Sequence, residues 1–240
     1  MIVPSPKKVL LLDLDGVVFH QPNIHKFVVM RVNCFVRKQL RSIIKDINYH
    51  DAERINKTLY TTYGHTLLGL NYMFHKNISL KEFNNSVYDK ITLSYISNFH
   101  NDKEMNQRGD EVRQLIDHCN LSKTPVYIFS NAPFCWSDTV LDTMKLSIDR
   151  NNILGSDHPL FDENGQLKPI SNLYNNVTRL ISHRHGDDTK LVFVDDSIIN
   201  IKPCMSMKRW QPILLSSNMP NLDLKNIHVR STISDIMDLV

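Results

Sequence analysis

The sequence predicts an α/β protein built on a parallel β-sheet, with a helical insertion in its first half. Three short apolar runs, KVLLLDLD at 8–15, PVYIFSNAP at 125–133 and KLVFVDDS at 190–197, have the form of strands buried on both faces. Two later runs, WQPILLSS at 210–217 and IHVRS at 227–231, have the form of strands nearer the sheet edge. Strands buried on both faces need helices above and below them, which indicates the α/β class.

The long interval between the first and second runs reads as helix. NIHKFVVMRVNCFVRKQLRSIIKDI at 23–47 carries apolar residues at mixed spacings of three and four. HDAERINKTLYTTYGHTLLGLNYMF at 50–74 has the same character, interrupted near Gly64 and Gly69. The sequence therefore predicts at least two long helical stretches here.

A third helix is predicted at 79–91, where SLKEFNNSVYDKI opens with Ser79 three residues before Glu82, the pattern of a capping box. An insertion of this length inside a β–α–β crossover is too long for a loop. The domains expected from the sequence are a helical cap at 20–100 and an α/β core formed by 1–19 and 101–240.

Composition narrows the function classes. The net charge is +3, from 28 Lys+Arg and 25 Asp+Glu, and no basic run suggests nucleic-acid binding. No stretch reaches the roughly 18 apolar residues of a membrane span, and the first apolar run meets acids too soon for a signal peptide. We expect a cytoplasmic monomer or dimer that binds neither nucleic acid nor membrane. The cysteines are isolated, without zinc-site spacing, and are expected to be free thiols: Cys34, Cys119, Cys135 and Cys204.

Polar side chains end three of the predicted strands. They are Asp13 and Asp15, then Ser130 and Asn131, then Asp195 and Asp196. Ligands of open α/β sheets bind beyond the carboxyl ends of the strands, so these groups are expected at one site. Asp13 and Asp15 are two residues apart and point to the same side of a strand, where their charges repel unless a cation such as Mg²⁺ lies between them. Capping a helix at Gly16 is the alternative, but a cap needs one such residue.

The motifs also occur in a recognisable order. DLDGVVF, VYIFSN, LKPI and VFVDDSIINI resemble the four motifs of the haloacid dehalogenase (HAD) superfamily, in which an aspartate takes up a phosphoryl group. The resemblance implies a Rossmann-like parallel sheet core with an inserted α-helical cap and a bound Mg²⁺. YTTYGHTLLGLNYMFHKNISLKEFNNSVYDKI at 60–91 further resembles the cap of pyrimidine 5′-nucleotidases. The sequence differs from that group in reading DGVVF where D-N-x-L-Y is common.

The resemblance implies a role for each site residue. Asp13 is expected to be the nucleophile and Asp15 the general acid and then base. Ser130, the backbone N–H of Asn131 and the ammonium of Lys168 are expected to hold the phosphoryl oxygens.

A magnesium site is implied by the same motifs. Its expected ligands are the Asp13 carboxylate, the Asp15 backbone carbonyl and the Asp196 carboxylate. Asp195 is expected to position Asp196 without binding the metal itself, and Asp195 as the direct ligand stays open as the alternative. Asn200 falls where it could position these acids.

The predicted function is hydrolysis of a small phosphorylated metabolite, with a pyrimidine nucleoside 5′-monophosphate favoured. A phosphatase for another substrate, such as a sugar phosphate, and a non-catalytic binding or regulatory protein on the same fold are the alternatives. Within the insertion, four residues are expected in the cap core, with binding of the substrate base as the alternative: Tyr60, Tyr63, Leu67 and Leu70. His20 is a weaker candidate for facing the cap, and HRH at 183–185 is expected to end a helix in solvent.

Overall fold

The structure is a computed structural model that describes residues 7–161, 166–216 and 227–240. Within these ranges, six parallel strands form one sheet in the order β3-β2-β1-β4-β5-β6. The strands are β1 (Lys8–Leu12), β2 (Val126–Phe129), β3 (Ile153–Leu154), β4 (Lys190–Asp195), β5 (Trp210–Leu215) and β6 (His228–Arg230). The predicted α/β class and parallel sheet are confirmed, and the two late strands lie toward one edge as expected.

Six helices lie between β1 and β2, and the first five fill most of the insertion. They are α1 (Pro22–Leu40), α2 (Tyr49–Tyr63), α3 (Thr66–Met73), α4 (Leu80–Val87), α5 (Lys90–Ser97) and α6 (Lys103–Leu121). The later helices are α7 (Phe134–Thr143), α8 (Ser171–His185) and the short α9 (Ile198–Ile201). No helix in the described part of the chain is both long and apolar enough to cross a bilayer.

Several boundaries differ from the sequence-based expectation. The first helix ends at Leu40, seven residues short of the predicted end at 47. Gly64 ends α2 in a left-handed conformation with φ of 76°, as the interruption suggested. Gly69 instead lies inside α3, at a point where α3 packs against α2. A Cβ there would come within 2.7 Å of Leu59, so the missing side chain permits the close approach of the two helices.

The capping box predicted for α4 is only half formed. Ser79 Oγ accepts from the Glu82 backbone N–H at 3.1 Å, but the Glu82 carboxylate accepts from Gln39 Nε2 of α1 at 2.8 Å. A full box forms instead at the start of α2, between Asn48 and Asp51. The Glu82 side chain therefore ties two helices of the insertion together rather than capping its own.

The core has two layers, one on each face of the sheet. Alternate residues of β1 face opposite layers, with Val9 and Leu11 on one side and Leu10 and Leu12 on the other. The layer beneath Val9 and Leu11 continues into buried residues of α1, α2 and α4. The insertion is thus packed against the sheet by the same hydrophobic effect that holds the sheet's own helices.

The insertion also contacts the loop that carries the predicted lysine motif. A Cβ at Gly64 would lie 2.5 Å from Pro169 Cδ and 3.2 Å from Ile199 Cγ2. The turn between α2 and α3 therefore lies directly against the carboxyl edge of the sheet, which places the insertion over the strand ends.

Candidate active site

The central strand delivers Asp13 to the carboxyl edge of the sheet. In β1, Leu12 pairs with Ile128 of β2 and with Val194 of β4, so the three strands end in register. The Asp13 backbone N–H donates to Val194 O at 2.9 Å, which continues the ladder by one residue. Parallel pairing therefore brings together the polar residues that follow all three strands, as the sequence predicted.

Lys168 lies at the centre of this edge and is only 1% exposed. Its Nζ donates to Asp13 Oδ1 at 2.8 Å and to Asp195 Oδ2 at 2.7 Å. Burial alone would lower the pKa of Lys168, but the two carboxylates reverse that effect and hold its pKa above the usual range. The ammonium is therefore a fixed positive charge beside Asp13.

Asp195 is fully buried and its carboxylate is held on every side. Oδ1 accepts from the Ser197 backbone N–H at 2.8 Å, and Asn200 Nδ2 donates to both oxygens at 3.1 Å. With Lys168 bound to Oδ2, this carboxylate has a complete set of donors. Its evident role in the structure is to fix Lys168.

Asp196 differs from Asp195 because its side chain is exposed at the mouth of the site. No side chain in the described ranges donates to its carboxylate. Lost hydration first, and then the charge of Asp195, raise the pKa of Asp196 to about 7. The side chain lies over Gly16, whose hypothetical Cβ would come within 2.1 Å of Asp196 Oδ2. Gly16 has φ of 90°, a conformation that glycine adopts without strain and that lets the chain turn sharply after β1.

Three carboxylates converge at this edge. Asp13, Asp195 and Asp196 each offer an oxygen, and these oxygens lie within 4.8 Å of one another. Burial raises the pKa of Asp13 well above its usual range, and the two other carboxylates add to that shift against the opposing Lys168. One lysine thus leaves the cluster with excess negative charge.

The donor set fits a small divalent cation. Carboxylate oxygens are what Mg²⁺ prefers, and a cation would relieve the repulsion that raises the pKa of Asp13. Asn200 adds a buried carbonyl oxygen, Oδ1, for which the described part of the chain provides no hydrogen-bond partner. The residues present therefore suit Mg²⁺ at this position.

Asp15 lies on the insertion side of the edge. Its Oδ1 accepts from Trp136 Nε1 at 3.1 Å, and burial raises its pKa while Trp136 and the nearby His25 oppose the shift. A raised pKa keeps a carboxyl group protonated at higher pH, which suits a proton donor. Trp136 and His25 were not predicted as site residues, because neither belongs to the motifs.

The loop after β2 holds Ser130 and Asn131 beside the lysine. Ser130 is 2% exposed, and its Oγ accepts from the Ala132 backbone N–H at 3.0 Å. The Asn131 side chain both donates to Lys168 O at 2.9 Å and accepts from Lys168 N at 2.8 Å. Asn131 was predicted only for its backbone N–H; its side chain also fixes the lysine loop.

Tyr60 was wrongly expected in the cap core. Leu67 and Leu70 are buried and Tyr63 is partly buried, but Tyr60 is 49% exposed. Partial desolvation of the hydroxyl first, and then the Asp196, Asp13 and Asp195 charges, raise the pKa of Tyr60 to about 12. Tyr60 follows Ala52 by eight residues and Asn56 by four, so its helical phase is that of the buried face of α2 and does not reveal its exposure.

Tyr88 is a second residue that sequence reasoning missed. Its ring lies 5.4 Å from that of Trp136, and burial first, then Asp15 and Asp13, raise its pKa well above the usual range. Two tyrosines of the insertion therefore come near the acids of the sheet edge. No motif distinguishes them in the sequence, since aromatic residues in helices are usually core.

The histidine predictions had mixed outcomes. His20 is exposed, and none of its contacts suggests a role at the site. The HRH stretch does end a helix, α8, with Gly186 as its cap. His183 is exposed as expected, but His185 is partly buried, 2.8 Å from the Tyr127 hydroxyl.

The chain forms a parallel sheet with the strand order β3-β2-β1-β4-β5-β6, and helices are inserted after β1. Acidic side chains follow its central strands. These features define an α/β fold with a cluster of acids at the carboxyl edge of the sheet. The same fold occurs in solved structures whose names describe them as haloacid dehalogenase-like or phosphohydrolase-like proteins. A protein described as a haloacid dehalogenase-like hydrolase from Burkholderia xenovorans has 14% identity and a TM-score of 0.50, covering 97% of this chain and 98% of that one. A phosphoserine phosphohydrolase-like protein from Francisella tularensis has 13% identity and a TM-score of 0.51, covering 97% and 99%.

The sequence of this chain has no match in either sequence-based comparison. The chain matches no protein-family model and no curated protein. The structural likeness therefore carries the fold, and the chemistry has to be argued from the residues of the site.

Proposed function

We propose that this protein is a Mg²⁺-dependent phosphomonoesterase that works through an aspartyl-phosphate and prefers nucleoside 5′-monophosphates, the pyrimidine ones above all. One observation carries the proposal: the buried Lys168 ammonium lies 2.8 Å from Asp13, at the end of the central strand, and 2.7 Å from Asp195. A buried lysine held this way offers positive charge where a phosphoryl group would meet the Asp13 carboxylate. The fold supports the same chemical class.

The first step is transfer of the phosphoryl group to the protein. An Asp13 carboxylate oxygen attacks phosphorus, the bond from phosphorus to the ester oxygen breaks, and Asp15 gives its proton to that oxygen. Lys168 and the Ser130 hydroxyl bind the phosphoryl oxygens during the transfer. The raised pKa of Asp15 supports its assignment as the proton donor.

The second step releases phosphate. Asp15, now ionised, takes a proton from a water molecule, and the resulting hydroxide attacks phosphorus of the Asp13 acyl phosphate. The bond between Asp13 and phosphorus breaks, which restores the carboxylate. Trp136 donates to Asp15 at 3.1 Å, so the carboxyl group keeps one orientation through both steps.

The cation would be held by the Asp13 carboxylate, the Asp15 backbone carbonyl and the Asp196 carboxylate. Asp196 is favoured over Asp195 as the direct ligand, because the donors around Asp195 already engage both of its oxygens. When bound, Mg²⁺ supplies positive charge that screens the nucleophile from the phosphoryl oxygens.

The nucleotide preference rests on the resemblance of residues 60–91 to nucleotidase caps and on the position of the insertion. The phosphoryl site by itself contacts only the phosphoryl group and the ester oxygen. Discrimination between leaving groups must then come from residues over the strand ends, and the turn at Gly64 shows that the insertion reaches that edge.

Phosphate release from a matched panel tests the proposal. UMP and CMP are expected to give kcat/KM values about 10- to 1,000-fold above that of p-nitrophenyl phosphate. The value for ribose 5-phosphate is expected to lie between those of the two nucleotides and that of p-nitrophenyl phosphate. EDTA should abolish activity, and added Mg²⁺ should restore it. Equal rates for all four esters would leave a general phosphatase, a preference for ribose 5-phosphate would favour a sugar phosphatase, and no hydrolysis at all would favour a non-catalytic protein.

A further inference from the structure

Asn84, in helix α4, carries a buried polar atom that the fold leaves without a partner. The residue is only 7% exposed, and its Oδ1 has no hydrogen-bond partner among the residues that the structure describes. A buried carbonyl oxygen without a donor destabilises the folded protein, so such atoms are uncommon and are often kept for a function. The side chain is therefore a candidate for contact with something outside the chain.

The amide is held in one orientation from the sheet side. Asn84 Nδ2 donates to Ser156 Oγ at 2.9 Å, and Ser156 is 1% exposed. The Ser156 backbone N–H donates to Ala132 O at 2.9 Å, two residues after Ser130. Asn84 is thus tied to the loop that carries the predicted phosphate-binding hydroxyl.

Close packing of the two loops makes this tie rigid. A Cβ at Gly155 would lie 2.9 Å from both Ala132 O and Phe134 N, so the residue before Ser156 lies directly against the loop. Ser156 consequently has little freedom to move relative to Ser130. Its hydroxyl is a fixed anchor for the Asn84 amide.

The same helix reaches the other side of the site one turn later. Tyr88 follows Asn84 by four residues, and the two side chains lie on one helical face. The Tyr88 ring packs 5.4 Å from Trp136, whose Nε1 donates to Asp15 at 3.1 Å. Through Asn84 and Tyr88, α4 therefore connects the segment packed on the Ser130 loop with Trp136, which binds the predicted proton donor.

We infer that Asn84 is a specificity-determining residue whose Oδ1 accepts a hydrogen bond from an N–H or O–H group on the leaving group of the phosphomonoester. The inference rests on the proposed function. It explains why the amide is fixed by Ser156 through its donor while its acceptor remains unused. The donor can belong to a sugar hydroxyl or to a base N–H, and the experiment separates these two sources.

The variant Asn84→Leu removes the acceptor and keeps a similar volume, and Asn85→Leu is the matched control on the exposed side of the same helix. For each protein, kcat/KM is measured with UMP, CMP, ribose 5-phosphate and p-nitrophenyl phosphate, which has no donor. Asn84→Leu is expected to lower kcat/KM for donor-bearing esters at least tenfold more than for p-nitrophenyl phosphate. Asn85→Leu is expected to leave the ratio unchanged.

The substrates separate the two sources of the donor. A loss that includes ribose 5-phosphate assigns the donor to a sugar hydroxyl, and a loss confined to UMP and CMP assigns it to the base. The same ratios are measured as equilibrium binding in an Asp13→Asn background, where turnover is not needed. A protein that hydrolyses none of the esters but binds them with the Asn84-dependent ratio would refute the proposed function and keep this inference.

A second variant guards against failure to fold. Asn84→Asp keeps oxygen acceptors at the same position, so the preference for donor-bearing esters should stay within about threefold of the wild-type ratio even if all rates fall together. The inference is overturned if Asn84→Leu lowers all four substrates equally, if it changes none, or if neither assay shows discrimination in the unmodified protein. An ordered water that satisfies Oδ1 permanently would give the unchanged result.

Discussion

The sheet edge and the helical insertion face each other across the candidate site, and they differ in how far their polar side chains have hydrogen-bond partners within the protein. At the sheet edge, Lys168 and Asp195 are almost completely buried and each has its hydrogen-bond partners within the protein. In the insertion, Asn84 Oδ1 is buried without a partner and Tyr60 is half exposed. The Lys168–Asp195 pair therefore has its partners within the protein, whereas Asn84 Oδ1 has none among the described residues. At the sheet edge, Asn200 Oδ1 and the Asp196 carboxylate are open in the same way, and both lie at the candidate metal position.

This difference suggests a division of labour. A group whose partners are already in place does not rearrange when the phosphoryl group arrives, which favours electrostatic stabilisation of the transition state. A group that lacks its partner gains most when a ligand supplies one, which favours selection among leaving groups. Variants of the two regions should therefore fail in different ways.

The largest effect is expected from Asp13→Asn. The amide cannot attack phosphorus, so kcat should fall about 10⁴-fold or more for every ester, without regard to the leaving group. The measurement is phosphate release at saturating substrate, with circular dichroism to show that the fold is retained. Residual kcat of a tenth of wild type, in a folded protein, would remove Asp13 as the nucleophile.

Lys168→Met is the next largest change, and it acts on both activity and stability. It removes a fixed charge from the phosphoryl group, so kcat should fall about 100- to 1,000-fold for all esters alike. It also leaves Asp13 and Asp195 buried without their counter-charge, which should cost about 3–5 kcal/mol in the free energy of unfolding.

Lys190→Met is the control for that variant, because Lys190 is an exposed residue at the far end of the same strand as Asp195. It should change neither kcat nor the urea midpoint. A Lys168→Met protein as stable as wild type would contradict the view that the sheet edge is held together by this lysine.

Low pH should reduce the stability of the insertion through His65, the N-cap residue of α3. Its Nδ1 accepts from the Leu67 backbone N–H at 3.1 Å, and burial lowers the pKa of His65 to about 4. The folded state therefore binds fewer protons than the unfolded state between pH 4 and about 6.5, the usual histidine value. Stability from this residue is present above pH 6.5 and is lost as pH falls toward 4.

His65→Asn keeps a capping acceptor but cannot titrate in this range. Wild type should lose about 2–3 kcal/mol relative to this variant between pH 7 and pH 4, measured by urea unfolding at each pH. His50→Asn, at an exposed position in α2, should track wild type. Parallel pH curves for wild type and His65→Asn would show that His65 is not held neutral.

The sequence predicted more of the sheet edge than of the insertion, for a physical reason. Strands buried on both faces are continuous apolar runs, so β1, β2 and β4 and the polar residues after them stand out in the sequence. β3 was missed because two residues, Ile153 and Leu154, carry no periodicity. Helices α2 and α4 hide their site-facing residues, because Tyr60 and Asn84 share the helical phase of core residues and differ from them only in their surroundings, which depend on packing.

The smallest expected effect concerns Tyr60, the tyrosine of the insertion that lies near the acids. Tyr60→Ala should lower kcat/KM for UMP and CMP about three- to tenfold, because an aromatic contact contributes about 1 kcal/mol, and should change p-nitrophenyl phosphate less. Tyr60→Phe separates the ring from the hydroxyl, and it should keep most of the nucleotide preference if the ring makes the contact. Tyr72→Ala is the control, since Tyr72 is a tyrosine of α3 that is 74% exposed. If Tyr60→Ala lowered kcat for every ester as Lys168→Met does, Tyr60 would belong with the catalytic edge, and the division between the two regions would not hold at this residue.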